Sequence, residues 1–412
     1  MRHIYTSIDI GSDTIKVIVC ELFENRLNLL AASSYKSKGI KKGLITDVTL
    51  AGNSIKEAIK EVEDMLDIKI TKVIASVPSY FADYSIVNGT YKIKNSDGRV
   101  TNYDIIKSLE NAIKTYETTN KEMVTILPID YKLDNKLYDK IPLGEIGTTI
   151  ESRGVIVTTP KKNIYSVITL LESLGLEIVD ISINNIGDLY AFSNKELDDK
   201  IGAIINIGSQ ITNISLYNKN VLVKSAIIDQ GGSNIDSDLA YMYKIDKKEA
   251  NRVKMKFALA HKKRASTGDI FEVKNNYEEH LKINQYEASS IVMSRIEEIL
   301  NLAKKEINLL TSRNIDYIII TGGTSNMPDF EYVVNDVFGK TASIGNIKML
   351  GIRNNKYSSC IGNIVYFISK LKLKGKDYTM ISDEEANNMS NNKKLNASDS
   401  MLGKIFGYFF NE

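Results

Sequence analysis

The apolar and polar positions sort the chain into elements before any chemistry is considered. Ile4 to Glu21 reads as strand, tight turn, strand, and Leu27 to Tyr35 continues as a third strand. Over Leu50 to Leu66 the apolar positions Ile55, Ile59, Val62, Met65 and Leu66 fall at helical spacing, with Asn53 available as a cap. Val73 to Val77 is a short buried strand closed by Pro78. From about 80 to 165 the character changes. Pro128, Pro142 and Pro160 punctuate short β-like runs (TILPIDYKL, GVIVTTP), and one helix falls near Ile105 to Tyr116, as in an inserted α+β module. Ile164 to Leu174 is a helix stopped by Gly175, and a strand follows at Glu177 to Ile181.

The second half then repeats the opening. AIINIGSQITNISLYNKNVLVKSAII resembles SIDIGSDTIKVIVCELFENRLNLLAAS: apolar strand, Asp or Asn, Ile-Gly-Ser, strand, short turn, strand. One such match is compatible with chance. Two with the same flanking pattern suggest a duplicated domain. Beyond the repeat lie QGGSNI, a helix at Ile235 to Tyr243, and a Lys/Arg-rich helical stretch from Lys247 to Arg264 that reads as a solvated face. A long amphipathic helix covers about Glu287 to Leu310, and DYIIITGGTSNMPDF reads as a buried strand, a Gly-Gly turn and a new helix. Lys372 to Asp399 is polar, a flexible linker by composition, and the chain closes with MLGKIFGYFFNE.

Composition narrows the class. A chain of 412 residues suggests two to four compact units. The formal charge of +2 has no long basic block behind it, so nothing demands nucleic acid as a partner. Cys20 and Cys360 have no pairing logic, which argues for a reducing cytoplasm. His261 and His280 lie in polar sequence without ligand spacing, so a zinc site is not expected. Asp67 and Asp180 follow apolar runs and read as loop residues. No stretch approaches the ~18 apolar residues of a membrane span, so any membrane role must be peripheral.

The candidate chemistry lies in the glycine turns. A tight turn carrying Gly brings backbone N–H groups into a concave anion site, and Gly lets a phosphate approach the backbone. Asp9 stands two residues before Gly11, Ser12 adds a hydroxyl, and Lys16 on the return strand can place a charge beside phosphates. A carboxylate at Asp9 suits an outer-shell role towards Mg²⁺, which keeps most of its waters. The second turn has Asn206, Gly208, Ser209 and Gln210; if the duplication is real, the two turns clamp a polyphosphate. Gly322-Gly323-Thr324 follows an apolar strand, where an adenine ring can lie against a backbone without Cβ. Each turn alone is compatible with an ordinary hairpin or strand-to-helix turn, as is Gly231-Gly232. Their order and spacing in a duplicated chain favour a shared site.

DIGSDTIKV resembles the first phosphate motif of the actin/Hsp70/sugar-kinase superfamily. NIGSQITNI stands where the second belongs, ITGGTSNMPDF resembles the adenosine motif, and YSSCIGNIVYF resembles the last connecting helix, with Gly362 for close packing. Within the superfamily the chain most resembles the FtsA family of bacterial cell-division actin homologues. The resemblance implies an actin-like (ribonuclease H-like) α/β fold of two duplicated lobes, with ATP and Mg²⁺ as cofactors. The implied division is subdomain 1A (1–82, 166–198, 356–371), inserted α+β subdomain 1C (83–165), subdomain 2A (199–234, 296–355), subdomain 2B (235–295), linker (372–399) and membrane-targeting amphipathic helix (400–412). It also implies that Gly232, Asn234 and Lys254 lie near the nucleotide. The implied partners are the tubulin-like division protein FtsZ, further copies of the chain and lipids of the cytoplasmic membrane at the division site.

Two departures bear on mechanism. The second phosphate motif of the superfamily usually starts with Asp, and here it is Asn206. An amide is no general base, and losing one costs roughly two to four orders of magnitude in rate, so ATP binding with slow or negligible hydrolysis is expected. In a helix from about Ser400, the side chains of Leu402, Ile405, Phe406, Phe409 and Phe410 share one face suited to the lipid headgroup plane. Family tails usually carry several basic residues; this one has Lys404 alone, so insertion is expected to be mostly hydrophobic. The alternatives are a kinase or other ATPase of the same fold, or a pilus-assembly or cell-shape relative. Asn206 argues against the kinase, and the tethered C-terminal tail against the others.

Overall fold

The computed structural model describes residues 3–382. Strands β1 (His3–Ile10), β2 (Thr14–Phe23) and β3 (Arg26–Lys36) form an antiparallel meander. A two-residue hairpin, β4 (Ile40–Lys41) and β5 (Leu44–Ile45), leads into α1 (Val48–Leu66). Asp47, not Asn53, caps α1: its extended backbone brings the carboxylate over the first turn, where it accepts from Leu50 N–H at 2.9 Å. Asn53 lies inside the helix. β6 (Lys72–Val77) then runs parallel to β1.

The insert follows as β7 (Asp83–Lys92), α2 (Asn102–Lys114), β8 (Lys121–Leu133), β9 (Lys136–Tyr138) and β10 (Thr149–Pro160). Its sheet, ordered β7-β10-β8-β9, is antiparallel throughout. α2 lies against that sheet at Gly89, where an added Cβ would meet Ala112 N at 2.1 Å. The chain returns through α3 (Lys161–Ser173) to β11 (Glu177–Ile183), which runs parallel to β6. Asp180 lies within that strand rather than in a loop, and Lys370 Nζ pairs with it at 2.5 Å.

α4 (Asn184–Phe192) crosses to the second lobe, which opens with β12 (Ile201–Ile207), β13 (Thr212–Asn218) and β14 (Val221–Ile228). α5 (Gly232–Tyr243) and α6 (Lys247–Lys256) follow, then the hairpin β15 (Ile270–Lys274) and β16 (His280–Asn284), α7 (Gln285–Leu310), β17 (Tyr317–Thr321), α8 (Phe330–Phe338), β18 (Ala342–Ile344) and α9 (Ser358–Lys374). The two five-stranded sheets have one topology. β3-β2-β1-β6-β11 and β14-β13-β12-β17-β18 each join three antiparallel strands to two parallel ones. Each lobe has its own apolar core, around Ile8, Val17 and Ile74 in the first and around Ile205, Ile296 and Ile320 in the second.

The basic stretch is not one helix to Arg264. It ends at Lys256, because Ala258 and Ala260 turn inward and the backbone of Ala260 bonds to Pro328 O at 2.9 Å. His261 is consequently buried rather than on a solvated face, and its ring sits 3.1 Å from Asp336.

α4 and α9 cross between the lobes. At Gly362 an added Cβ would lie 1.6 Å from Gly187 O, so the backbones touch. The polar stretch expected as linker from 372 begins as structure. Lys372 to Lys374 complete α9, Met380 N donates to Ile4 O at 2.9 Å, and Met380 and Ile381 are buried against the first core. The remainder of that span from 383, and the tail residues Leu402, Ile405, Phe406, Phe409 and Phe410, lie outside the described residues.

Candidate nucleotide site

The β1–β2 register places Asp9 opposite Lys16, and their side chains pair at 2.7 Å. Burial pushes the Lys16 ammonium down, but the charge and hydrogen bond of Asp9 outweigh it and the net shift is upward. An added Cβ at Gly11 would lie 2.7 Å from Thr14 O, so only glycine fits this turn unstrained. Ser12 Oγ accepts from Gly43 N–H at 2.7 Å, which leaves its own proton free to donate.

β12 and β13 repeat this hairpin. Asn206 stands opposite Asn213, the register place of Asp9 opposite Lys16. Gly208 N donates to Ile211 O at 3.0 Å and closes the turn. Its carbonyl accepts from Gly232 N at 2.9 Å and Thr324 Oγ1 at 3.1 Å, while Ser209 O accepts from Ser233 N at 2.7 Å. Gly322 has φ +93, and an added Cβ would lie 2.5 Å from Ile207 O. Three glycine turns, after β12, after β14 and after β17, are thereby fused into one floor. Lys254, buried on α6, donates to Gly232 O at 3.0 Å and pairs with Asp236 at 2.8 Å.

The two lobes face each other across a cleft of about 320 Å³. Its lining includes Asp9, Gly11, Ser12, Lys16, Asn206, Gly208, Ser209, Gln210, Gly232, Lys254, Gly322, Gly323 and Thr324. Of the turn and cleft residues singled out in the sequence, Gly231 and Asn234 are not in the wall: Asn234 Oδ1 accepts from Gly231 N at 3.0 Å and caps α5. Gln210 lines the cleft, but its Oε1 accepts from Lys42 N–H at 2.8 Å across the lobes. Lys42 Nζ also reaches Asp229 at 2.7 Å, so the β4–β5 hairpin clasps the far turn.

The donor set suits a phosphate with a hydrated cation. Buried Asn184 Oδ1 and the hydroxyls of Ser76 and Ser79 belong to lining residues and have no hydrogen-bond partner. Asn184 Nδ2 lies 3.3 Å from Asp9 Oδ1, so the first carboxylate and an unpartnered amide oxygen sit side by side. The lining carboxylates are Asp9, Asp13 and Asp236, and each already holds a lysine: Lys16, Lys36 and Lys254.

Sequence reasoning missed Asn184, Asp236, Asn251 and, behind the wall, Asp188. Asp188 is buried on α4, and its carboxylate accepts from Asn206 Nδ2 at 2.7 Å, Ser358 Oγ at 2.7 Å and Ser359 Oγ at 2.8 Å. Burial pushes its carboxyl up to about 6, against the three hydrogen bonds, with the charge of Asp9 adding to the rise. The one available signal was a lone acid inside the apolar run NNIGDLYAF.

Comparisons with known proteins agree with this architecture. The profile of the family described as "Cell division protein FtsA" matches residues 203–362, and that of the "SHS2 domain inserted in FTSA" matches residues 83–158. The chain is 26% identical over 387 residues to cell division protein FtsA of Bacillus subtilis, covering 93% of this chain and 88% of that one. It is 25% identical over 361 residues to the FtsA of Streptococcus pneumoniae, covering 87% and 78%. Among solved structures it resembles a PilM–PilN type IV pilus biogenesis complex (TM-score 0.56, 14% identity, 88% of this chain and 98% of that one). It also resembles MreB 5 of Spiroplasma citri bound to AMPPNP (TM-score 0.55, 13% identity, 90% and 99%). These last two establish an actin-like fold.

Proposed function

This chain belongs to the FtsA family of cell division proteins, and from that premise we propose that it is an ATP-binding, self-assembling adaptor that tethers FtsZ to the cytoplasmic membrane. One observation carries the nucleotide part: two glycine turns in equivalent places of two like sheets line one cleft, with Gly322-Gly323-Thr324 along its side. The backbone N–H groups of the turns, Ser12 and Lys16 hold the phosphates, and Asp9 and Asn184 hold waters of Mg²⁺. The Gly322 turn receives the adenine ring, and Lys254 with Asp236 stands on the nucleoside side. Magnesium would supply charge neutralisation of the phosphates.

Hydrolysis is slow or negligible in this reading. Position 206 carries an amide, and the three lining carboxylates are engaged by lysines, so none stands free as a general base. Binding rather than turnover then acts on the protein, by holding the lobes together for assembly.

The membrane part rests on the tail pattern and on the family. Among the described residues no helix is long and apolar enough to cross a membrane. In this reading the contact through Leu402, Ile405, Phe406, Phe409 and Phe410 is peripheral. Burying five such side chains contributes roughly 1.5–3 kcal/mol each before ordering costs. Co-sedimentation with liposomes and FtsZ filaments tests it. The full chain should bring FtsZ down with the lipid, and a chain lacking Met401 to Glu412 should leave both in the supernatant. Equal pelleting by the two chains would refute the tether.

A further inference from the structure

Asn206 is the residue that departs from a carboxylate, and its surroundings say why. Asp188 Oδ2 lies 2.7 Å from Asn206 Nδ2, while Asp188 Oδ1 takes Ser358 and Ser359. A carboxylate only accepts, so the amide nitrogen of Asn206 must face Asp188. The amide oxygen is thereby left on the opposite side. An added Cβ at Gly322 would lie 2.5 Å from Asn206 Oδ1, and Gly322 lines the cleft. Without Asp188 nothing in the pair would choose between the two amide orientations.

The fold brings these groups together for a separate reason. Gly187 and Gly362 let α4 and α9 touch, and that contact sets Ser358 and Ser359 beside Asp188, the residue after Gly187. Thr321 Oγ1, at the end of β17, bonds Ser358 Oγ at 3.1 Å. The second phosphate turn, the Gly322 turn and both inter-lobe helices are therefore tied to one buried carboxylate.

We propose that Asp188 is the positioning residue of the second phosphate turn, and that Asp188 and Asn206 form a single amide–carboxylate pair whose members can exchange places but cannot both be acids. The proposal rests on the ATP reading for its ligand; the pairing itself does not. With an acid also at 206, two carboxylates within hydrogen-bond reach could not both ionise. In an Asp188→Asn chain the amide oxygen would keep both serine hydroxyls and the amide nitrogen would face position 206. The exchanged pair thus satisfies every hydrogen bond of the original and moves the charge one residue closer to the phosphates.

The test is a double-mutant cycle at pH 8 with full-length protein: wild type, Asp188→Asn, Asn206→Asp and the double variant, read by thermal midpoint and by ATP affinity with Mg²⁺ and with EDTA. Asn206→Asp alone should show the largest loss of midpoint, or fail to give soluble protein. The double variant should recover at least half of that loss, or recover soluble yield. Its Mg²⁺-to-EDTA affinity ratio should exceed that of wild type by about tenfold, because the cleft now faces a charge. Additive losses, or no recovery of yield, would overturn the pairing. An unchanged ratio would overturn the orientation of residue 206 towards the cleft. No ATP binding by wild type would instead sink the nucleotide reading, and with it the orientation, while the thermal cycle still decides the pairing.

Discussion

Asp9 and Asn206 hold the same register place in two sheets of the same order, yet their partners differ. Asp9 faces Lys16 on the next strand, whereas Asn206 turns to an acid from an inter-lobe helix. That acid has a measurable consequence. Asp188 rises from 3.8 to about 6 on folding, so the folded state binds its proton more tightly than the unfolded chain does. Its contribution to stability is full below about pH 4 and is lost as pH rises through about 6. Tyr217, which feels the charge of Asp188, does not titrate in that window, because burial pushes its hydroxyl well above the usual value. In urea unfolding, the stability of wild type relative to Asp188→Asn should fall by about 1 kcal/mol between pH 5 and pH 7.5. A gap that does not change with pH would mean that Asp188 keeps its ordinary acidity. Sequence reading reached Asp9, Lys16 and Asn206 because strand, glycine and return strand are contiguous. It did not reach Asp188, because the contact depends on where α4 crosses, about which local spacing says nothing.

Among the elements, α4 and α9 carry the most consequence for their size. They cross at Gly187 and Gly362 with no room for a methyl group on either side. Replacing Gly362 by Ala would drive Cβ against Gly187 O and should cost on the order of 3 kcal/mol or more, as overpacking of backbone against backbone does. Equilibrium urea denaturation measures it, and a loss below about 0.5 kcal/mol would show that the helices separate without penalty. Gly362 was legible as a close-packing position from its motif, but its partner was not. Helix existence was also legible while helix ends were less so. Asp47 outcompetes Asn53 as a cap because it precedes the first turn, and α6 stops early because Ala258 and Ala260 are drawn into the second core. The polar composition of 372–382 concealed Met380 and Ile381, two apolar residues that dock that segment on β1.

At the scale of the whole molecule, the duplication seen as two Ile-Gly-Ser triplets becomes two sheets of one topology facing across one cleft. The clasp between Lys42 and the pair Gln210 and Asp229 then bridges the lobes beside the Gly208 turn, which no local pattern foretold. Hydrogen exchange of the full chain with and without MgATP tests the two-lobed grip most directly. Amides of the two hairpin glycine turns, 10–14 and 207–211, and of the third turn, 321–325, should slow together when the nucleotide is added. Protection confined to one lobe, or none at millimolar MgATP, would contradict it.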